Sequence, residues 1–346
     1  DDAGKACLLN TYFNSINVVD DAACPAFQLR TDGRLDDVSF DANAVRKHCN
    51  KMRPKFSSGP DDYPPFLLKQ IGPSIAGIIA QLFQSFMSIG RVPSDWKQAI
   101  IKPLFKKGAS SDPASYRPIS LTSIFSKLME KIIVEQMLKY LLTNNLISKQ
   151  QHGFLSRRST ATNLIESLND WTVKMENRQG QSVAYIDFAK AFDSVSHPKL
   201  LTKLGAYGIG GVLLNWISDF LTGRSHVTRV GHCLSPIAFI TSGVIQGSCL
   251  GPLLFLLYIN DLAEAISAVA TMKLYADDVK LYSNMSAVPT NANVLQDQLN
   301  RLLQWSVVWQ LPISFMKCCI LNIGKANESC VQQVRNYMQK PACIAF

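Results

Sequence analysis

The chain has 346 residues, 47% hydrophobic and 18% charged, which excludes general disorder and leaves room for two or three subdomains with a proper core. A net charge of +9 suits a polyanionic partner without requiring one. Nine cysteines, an odd count with no C-x-x-C pair, argue against a disulfide framework or a zinc site and for a reducing interior.

Residues 1–50 mix polar turns with short apolar patches such as Leu8-Leu9 and Tyr12-Phe13, and read as a connector. The turn formers from Met52 to Asp61 read as a loop. Apolar residues from Phe66 to Phe86 recur at helical spacing and predict a helix over 66–90. Ala99 to Phe105 reads as a strand with a turn at 106–108, and Leu121 to Leu142 as an amphipathic helix. Ser182 to Ile186 has the character of a buried strand, ending at Asp187. Pro198 opens a helix to about Tyr207, and a second runs from Val212 to Leu221, stopping at Gly223. Strands are expected over 226–245, a buried helix from Leu250 to Ile266, and a helix from Gln296 to Trp309. The apolar run Leu253 to Ile259 is too short to cross a bilayer. No secretory signal opens the chain, which begins Asp1-Asp2-Ala3 and reads as a fragment or excised domain. An intracellular protein, nuclear or cytoplasmic and without a membrane partner, is expected. His232-Cys233 and Cys318-Cys319 are expected to be buried thiols. The alternation fits an α+β fold, a small antiparallel sheet backed by helices.

Asp277 and Asp278 lie between two short strand patterns, Met272 to Tyr275 and Val279 to Tyr282, and so form a hairpin tip. Taken alone, such a pair reads more readily as a solvated turn. Asp187 adds a third carboxylate at the end of a buried strand, where a charge is costly unless paired or bound to metal. Carboxylates converging from neighbouring strands make a hard-oxygen cage for Mg²⁺, the protein's part in two-metal phosphoryl transfer.

YIDFAKAFDSVSH at 185–197, GVIQGSCLGPLLFLLYINDL at 243–262 and YADD at 275–278 resemble three successive polymerase motifs of non-LTR (LINE-type) reverse transcriptases. The likeness runs upstream through SGPDDYPPFLLK, WKQAIIKPLFKKG, YRPISLTSIFSKLMEKII and QHGFLSRRSTATNL, and downstream to Lys317. It covers about residues 40–325. The resemblance implies a right-hand polymerase, with an N-terminal connector at 1–50, fingers at 51–175 and palm at 176–325. A divergent tail at 326–346 would leave the thumb largely missing, and no upstream endonuclease is recognised.

By that resemblance Asp187, Asp277 and Asp278 hold two Mg²⁺ ions, with Mn²⁺ as an alternative, and Lys317 protonates departing pyrophosphate. Lys106 and Arg117 would grip the triphosphate, with Phe188, Gln246 and Gly247 lining the nucleotide. Phe192 would exclude a ribose 2′-hydroxyl. Relatives carry proline where this chain has Ile245, which would loosen the turn before Gln246. Asp193 reads as a capping or loop-fixing carboxylate. Arg157, Arg158, Lys97 and Lys102 would track the backbone of template and primer. The partners implied are an RNA template, a DNA primer and dNTPs, with oligomeric state open. RNA-templated RNA synthesis is disfavoured by Phe192 and by YADD in place of Gly-Asp-Asp. A decayed or domesticated nucleic-acid-binding remnant is the alternative.

Overall fold

Helix starts and stops follow from capping side chains, which satisfy backbone groups that a helix end leaves unpaired. The computed structural model describes residues 1–285 and 292–324. In chain order its elements begin with α1 (Asp2–Ser15), α2 (Ala42–Asn50), α3 (Pro65–Ile71), α4 (Ala76–Ser88), β1 (Gln98–Phe105), β2 (Tyr116–Leu121) and α5 (Ile124–Thr143). They continue with α6 (Thr160–Glu176), β3 (Gly180–Ile186), α7 (His197–Ala206), α8 (Gly211–Leu221), β4 (Arg224–Val230), β5 (Cys233–Leu234) and β6 (Ala238–Ile240). Last come α9 (Gly251–Ile259), α10 (Leu262–Ala265), β7 (Thr271–Tyr275), β8 (Asp278–Met285), α11 (Ala292–Val308) and β9 (Cys319–Ile323).

Several sequence expectations need correction. The helix expected over 66–90 is two helices, α3 and α4, bent by 117° at the Gly72-Pro73 break. Leu121 ends β2, and α5 starts only after Ser123, whose side chain caps Ser126 N–H. The helix expected over 250–266 divides into α9 and α10. Of the two thiol pairs, Cys319 is exposed while Cys318 and Cys233 are half-buried, so neither pair is buried. α1, α2 and α6 escaped the apolar pattern; α6 is marked instead by a capping box in which Ser159 and Thr162 cap each other's N–H. The tail at 326–346 lies outside the described residues. Among those, no single helix is long and apolar enough to cross a membrane.

The chain divides into two compact units, residues 1–146 with 192–255, and 147–191 with 256 onward. These follow contacts rather than motif order, so their limits differ from the boundaries read at 50 and 175. The first unit holds a sheet ordered β2-β1-β4-β5, with β6 also on β4. Its β1–β2 pair is antiparallel and its β1–β4 pair parallel. Residues 1–50 are folded into this unit: Leu9 and Phe13 of α1 pack with Ile101. Leu35 donates to Gly208 O at 2.8 Å and accepts from Gly210 N at 3.1 Å.

The second unit holds the antiparallel sheet β7-β8-β3-β9, with Trp171 of α6 packed on Val183 and Tyr282. Burial on one face fixes register, because a one-residue slip would turn every core side chain to solvent. That register positions the acidic residues.

Candidate active site

In the second unit Ile186 stands opposite Val279, and Tyr275 opposite Asp278. Continuing the β3–β8 register by one residue sets Asp187 across from Asp278, and directly opposed residues share a face. Both line one cavity of about 390 Å³ with Tyr185, Tyr275, Lys280 and Lys317. Asp277 is the second residue of the two-residue hairpin loop, half-buried beside exposed Asp278. The hairpin expected at 275–278 is therefore present.

Lys317 stands two residues before β9, which pairs with β3. Its Nζ donates to Asp187 Oδ1 at 3.0 Å, and Ser314 N–H donates to Asp187 O at 2.8 Å. The carboxylate oxygens of Asp187 and Asp278 are hard donors of the type a divalent cation takes, and here Asp187 is paired with the Lys317 ammonium. The cage is open: among the described residues no three Asp, Glu, His or Cys side chains are grouped closely enough to enclose an ion.

The first unit holds Lys102, Lys106, Arg117, Phe192, Gln246 and Gly247. Lys102 pairs with Ile119 and Leu104 with Arg117, so Lys102 and Arg117 share an exposed face of the β1–β2 hairpin. Lys106 sits at its end, donating its N–H to Ser115 O at 2.8 Å. Gln246 Nε2 donates to both Asp193 oxygens, at 2.8 and 2.9 Å, which makes Asp193 a loop-fixing carboxylate. Gln246 O accepts from Ser120 N at 2.8 Å. Gly247 has φ +123°, and a Cβ there would come within 2.3 Å of Ser120 O. Only glycine allows that approach.

The turn at Ile245 is braced by the Ser248 N–H and hydroxyl, which both donate to Ile245 O, at 3.2 and 3.0 Å. Behind it Glu130, fully buried on α5, accepts from Cys249 N at 2.6 Å, Leu250 N at 3.0 Å and the Ser126 hydroxyl at 2.9 Å. Burial pushes the Glu130 carboxyl above its usual range, against the pull of those donors. Burial, with Glu130 nearby, pushes the Cys249 thiol up to about 12, so it is held protonated. The half-buried Phe192 ring stacks on Phe255, centroids 4.4 Å apart and planes at 15°.

Other expected contacts fall elsewhere. Phe188 is 2% exposed and packs against Trp305, so its side chain is core and not a nucleotide contact. Lys97 is mostly buried, with Nζ 2.9 Å from Asp219 Oδ1. Arg158 donates through one guanidinium nitrogen to the carbonyls of Lys149 and Gln151 and so braces its own loop. Arg157 and Lys102 are exposed. Sequence reading missed Glu130, although a carboxylate in the apolar face Leu128, Met129, Ile132, Ile133 was a visible signal. It also assigned no role to Gln151, although the QHGFLSRRSTATNL motif begins there.

Comparison with known proteins agrees with the motifs. The model of the family described as reverse transcriptase (RNA-dependent DNA polymerase) matches residues 104–338. The chain is 28% identical over 296 residues to the RNA-directed DNA polymerase from mobile element jockey of Drosophila funebris, covering 83% of this chain and 32% of that protein. It is 30% identical over 259 residues to its Drosophila melanogaster counterpart, covering 73% and 28%. For the probable RNA-directed DNA polymerase from transposon X-element of Drosophila melanogaster the values are 27% over 256 residues, 73% and 27%. The chain thus spans about a third of the length of the curated relatives it matches. With two thirds of its residues inside the family match, the chain belongs to the reverse transcriptase family, of the non-LTR retrotransposon kind.

Proposed function

We propose that this chain is the polymerase part of a non-LTR retrotransposon protein, copying an RNA template by adding dNTPs to a DNA primer 3′-hydroxyl. The observation that carries this reading is that Asp187 and Asp278, at one end of an antiparallel sheet and next to Asp277, line one cavity with Lys317. In the right-hand reading, residues 51–175 act as fingers and 176–325 as palm, with 1–50 as an N-terminal extension.

Divalent cations, Mg²⁺ or Mn²⁺, bound by Asp187, Asp277 and Asp278 would supply charge neutralisation and an acidified 3′-hydroxyl. The chain's own groups do the rest. Arg117 and Lys106 hold triphosphate oxygens, the guanidinium as a fork and the ammonium as a point charge. Gln246, fixed by Asp193, orients the nucleotide, with Gly247 allowing close backbone approach. Phe192, backed by Phe255, occupies the space a 2′-hydroxyl would need. Lys317 holds a proton at Nζ for the departing pyrophosphate oxygen. Exposed Arg157 and Lys102 suit phosphate contacts along the template-primer.

The test is primer extension by purified chain on poly(rA)/oligo(dT) with Mg²⁺ and dTTP. Metal-dependent extension is expected. A chain that binds the hybrid but never extends it is a nucleic-acid-binding remnant instead.

A further inference from the structure

The acidic hairpin is held from behind by the start of the QHGFLSRRSTATNL segment, to whose first residue the resemblance assigns no role. A two-residue hairpin loop requires positive φ, and Ala276 adopts φ +54°, a conformation an L-residue with a Cβ resists. Both polar backbone groups of this strained residue go to one buried side chain. Gln151, 1% exposed, accepts the Ala276 N–H at Oε1, 2.9 Å away, and donates from Nε2 to Ala276 O at 3.4 Å. The same Oε1 accepts Gly153 N–H at 2.7 Å.

The neighbours extend the grip along β7. Leu274 N donates to Gln150 O at 2.9 Å, His152 N donates to Leu274 O at 2.8 Å, and Asn163 Nδ2 reaches the same carbonyl at 3.1 Å. Gly153 packs so closely that a Cβ on it would stand 2.3 Å from Ala276 N and 2.9 Å from Ala276 Cα. The residues directly after this clamped alanine are Asp277 and Asp278.

We infer that Gln151 is a positioning residue that holds the Ala276 turn left-handed and thereby aims the Asp277 and Asp278 carboxylates at a divalent cation. The inference rests on the polymerase reading for its consequence in catalysis, and on the hydrogen bonds for its mechanism. A buried amide that satisfies both groups of a strained peptide removes the turn's other conformations, since each would leave polar atoms unpaired. Carboxylates on a fixed turn bind an ion without first being ordered. In metal sites generally, loss of such an outer partner lowers affinity by about 10- to 100-fold.

The test uses the whole chain and two readouts. Mn²⁺ binding is followed by electron paramagnetic resonance without nucleotide, and the Mg²⁺ concentration for half-maximal primer extension is measured separately. Gln151→Met keeps the volume and removes all three side-chain hydrogen bonds, two to Ala276 and one to Gly153. It is expected to weaken Mn²⁺ binding and raise the Mg²⁺ requirement by about 10- to 100-fold. Adding Ala276→Gly should restore most of both, because glycine adopts positive φ without a Cβ penalty. A merely structural role for Gln151 would not be rescued at the turn. If Gln151→Met does not fold, Gly153→Ala carries the test, since it leaves Gln151 in place and displaces Ala276, and the same loss of Mn²⁺ affinity is expected. Unchanged Mn²⁺ affinity in a folded Gln151→Met or Gly153→Ala chain overturns the inference, as does a loss that Ala276→Gly fails to repair. Absence of extension by the unaltered chain overturns the polymerase reading alone, because the Mn²⁺ measurement does not depend on it.

Discussion

The Lys317 ammonium lies 3.0 Å from Asp187 Oδ1, on the wall of a cavity that Asp278 also lines. The same cation therefore neutralises a proposed metal ligand and stands where a proton donor for pyrophosphate is wanted. Lys317→Ala should separate these roles. Divalent cation binding should tighten, because Asp187 loses a competitor, while the chemical step slows by roughly 10²–10⁴-fold. Mn²⁺ binding and single-turnover extension measured side by side decide it; equal losses in both would remove Lys317 from proton transfer.

Asp187→Asn and Asp277→Asn should each abolish extension with the fold intact. A lost ligand is expected to lower the rate by roughly a thousandfold or more, equivalent to about 4 kcal/mol of barrier. Circular dichroism guards against misfolding, and near-normal extension by a folded Asp277→Asn chain would sink the metal assignment.

The Phe192 ring stacks on Phe255, a contact that restrains it in its proposed role against a ribose. Phe192→Val should raise ribonucleotide use relative to deoxynucleotide use, read as the ratio of kcat/KM values. An unchanged ratio returns Phe192 to the core.

Arg117 lies on an exposed face of the β1–β2 hairpin. Arg117→Ala should raise the KM for dNTP and leave the Kd for a labelled template-primer nearly unchanged. If the hybrid affinity alone falls, Arg117 belongs to the nucleic-acid track.

Glu130 sets a pH dependence of stability. Burial raises its folded pKa above the ordinary 4.5. Its contribution is therefore fully present below that ordinary value and is lost as pH rises through the raised folded value. Glu130→Gln cannot titrate, so it should flatten this slope while costing about 1–3 kcal/mol through an unsatisfied N–H at Cys249 or Leu250. Urea denaturation across pH values reads both effects; a slope unchanged by the substitution would show that another group sets it.

Much of this molecule was legible in short-range pattern. The hairpin at 271–285, the strand ending at Asp187, and the helices α7, α8 and α11 follow from apolar period, from Pro198 in a first turn and from Gly223 at a stop. Those signals are local because capping and one-face burial act over three or four residues. The family motifs are local in the same sense, so YADD and its companions point to the family without any tertiary contact. α1 was illegible because its apolar residues come in adjacent pairs, Leu8-Leu9 and Tyr12-Phe13, that give no one-sided period, α2 because it has only nine residues, and the merged helix at 66–90 because periodicity continues across the Gly72-Pro73 bend.

Tertiary structure alone decided which side chains serve which purpose. Arg158 and Lys97 look like phosphate ligands in sequence, yet they are held by carbonyls and by Asp219. Phe188 sits one residue from Asp187 and still points into the core. Asp193 meets Gln246 across 53 residues, Glu130 meets Cys249 across 119, and Gln151 meets Ala276 across 125. No local pattern encodes such pairs. A buried polar group must find a partner wherever the fold brings one within hydrogen-bond reach, and that partner is fixed by strand register and helix packing rather than by neighbours in the chain.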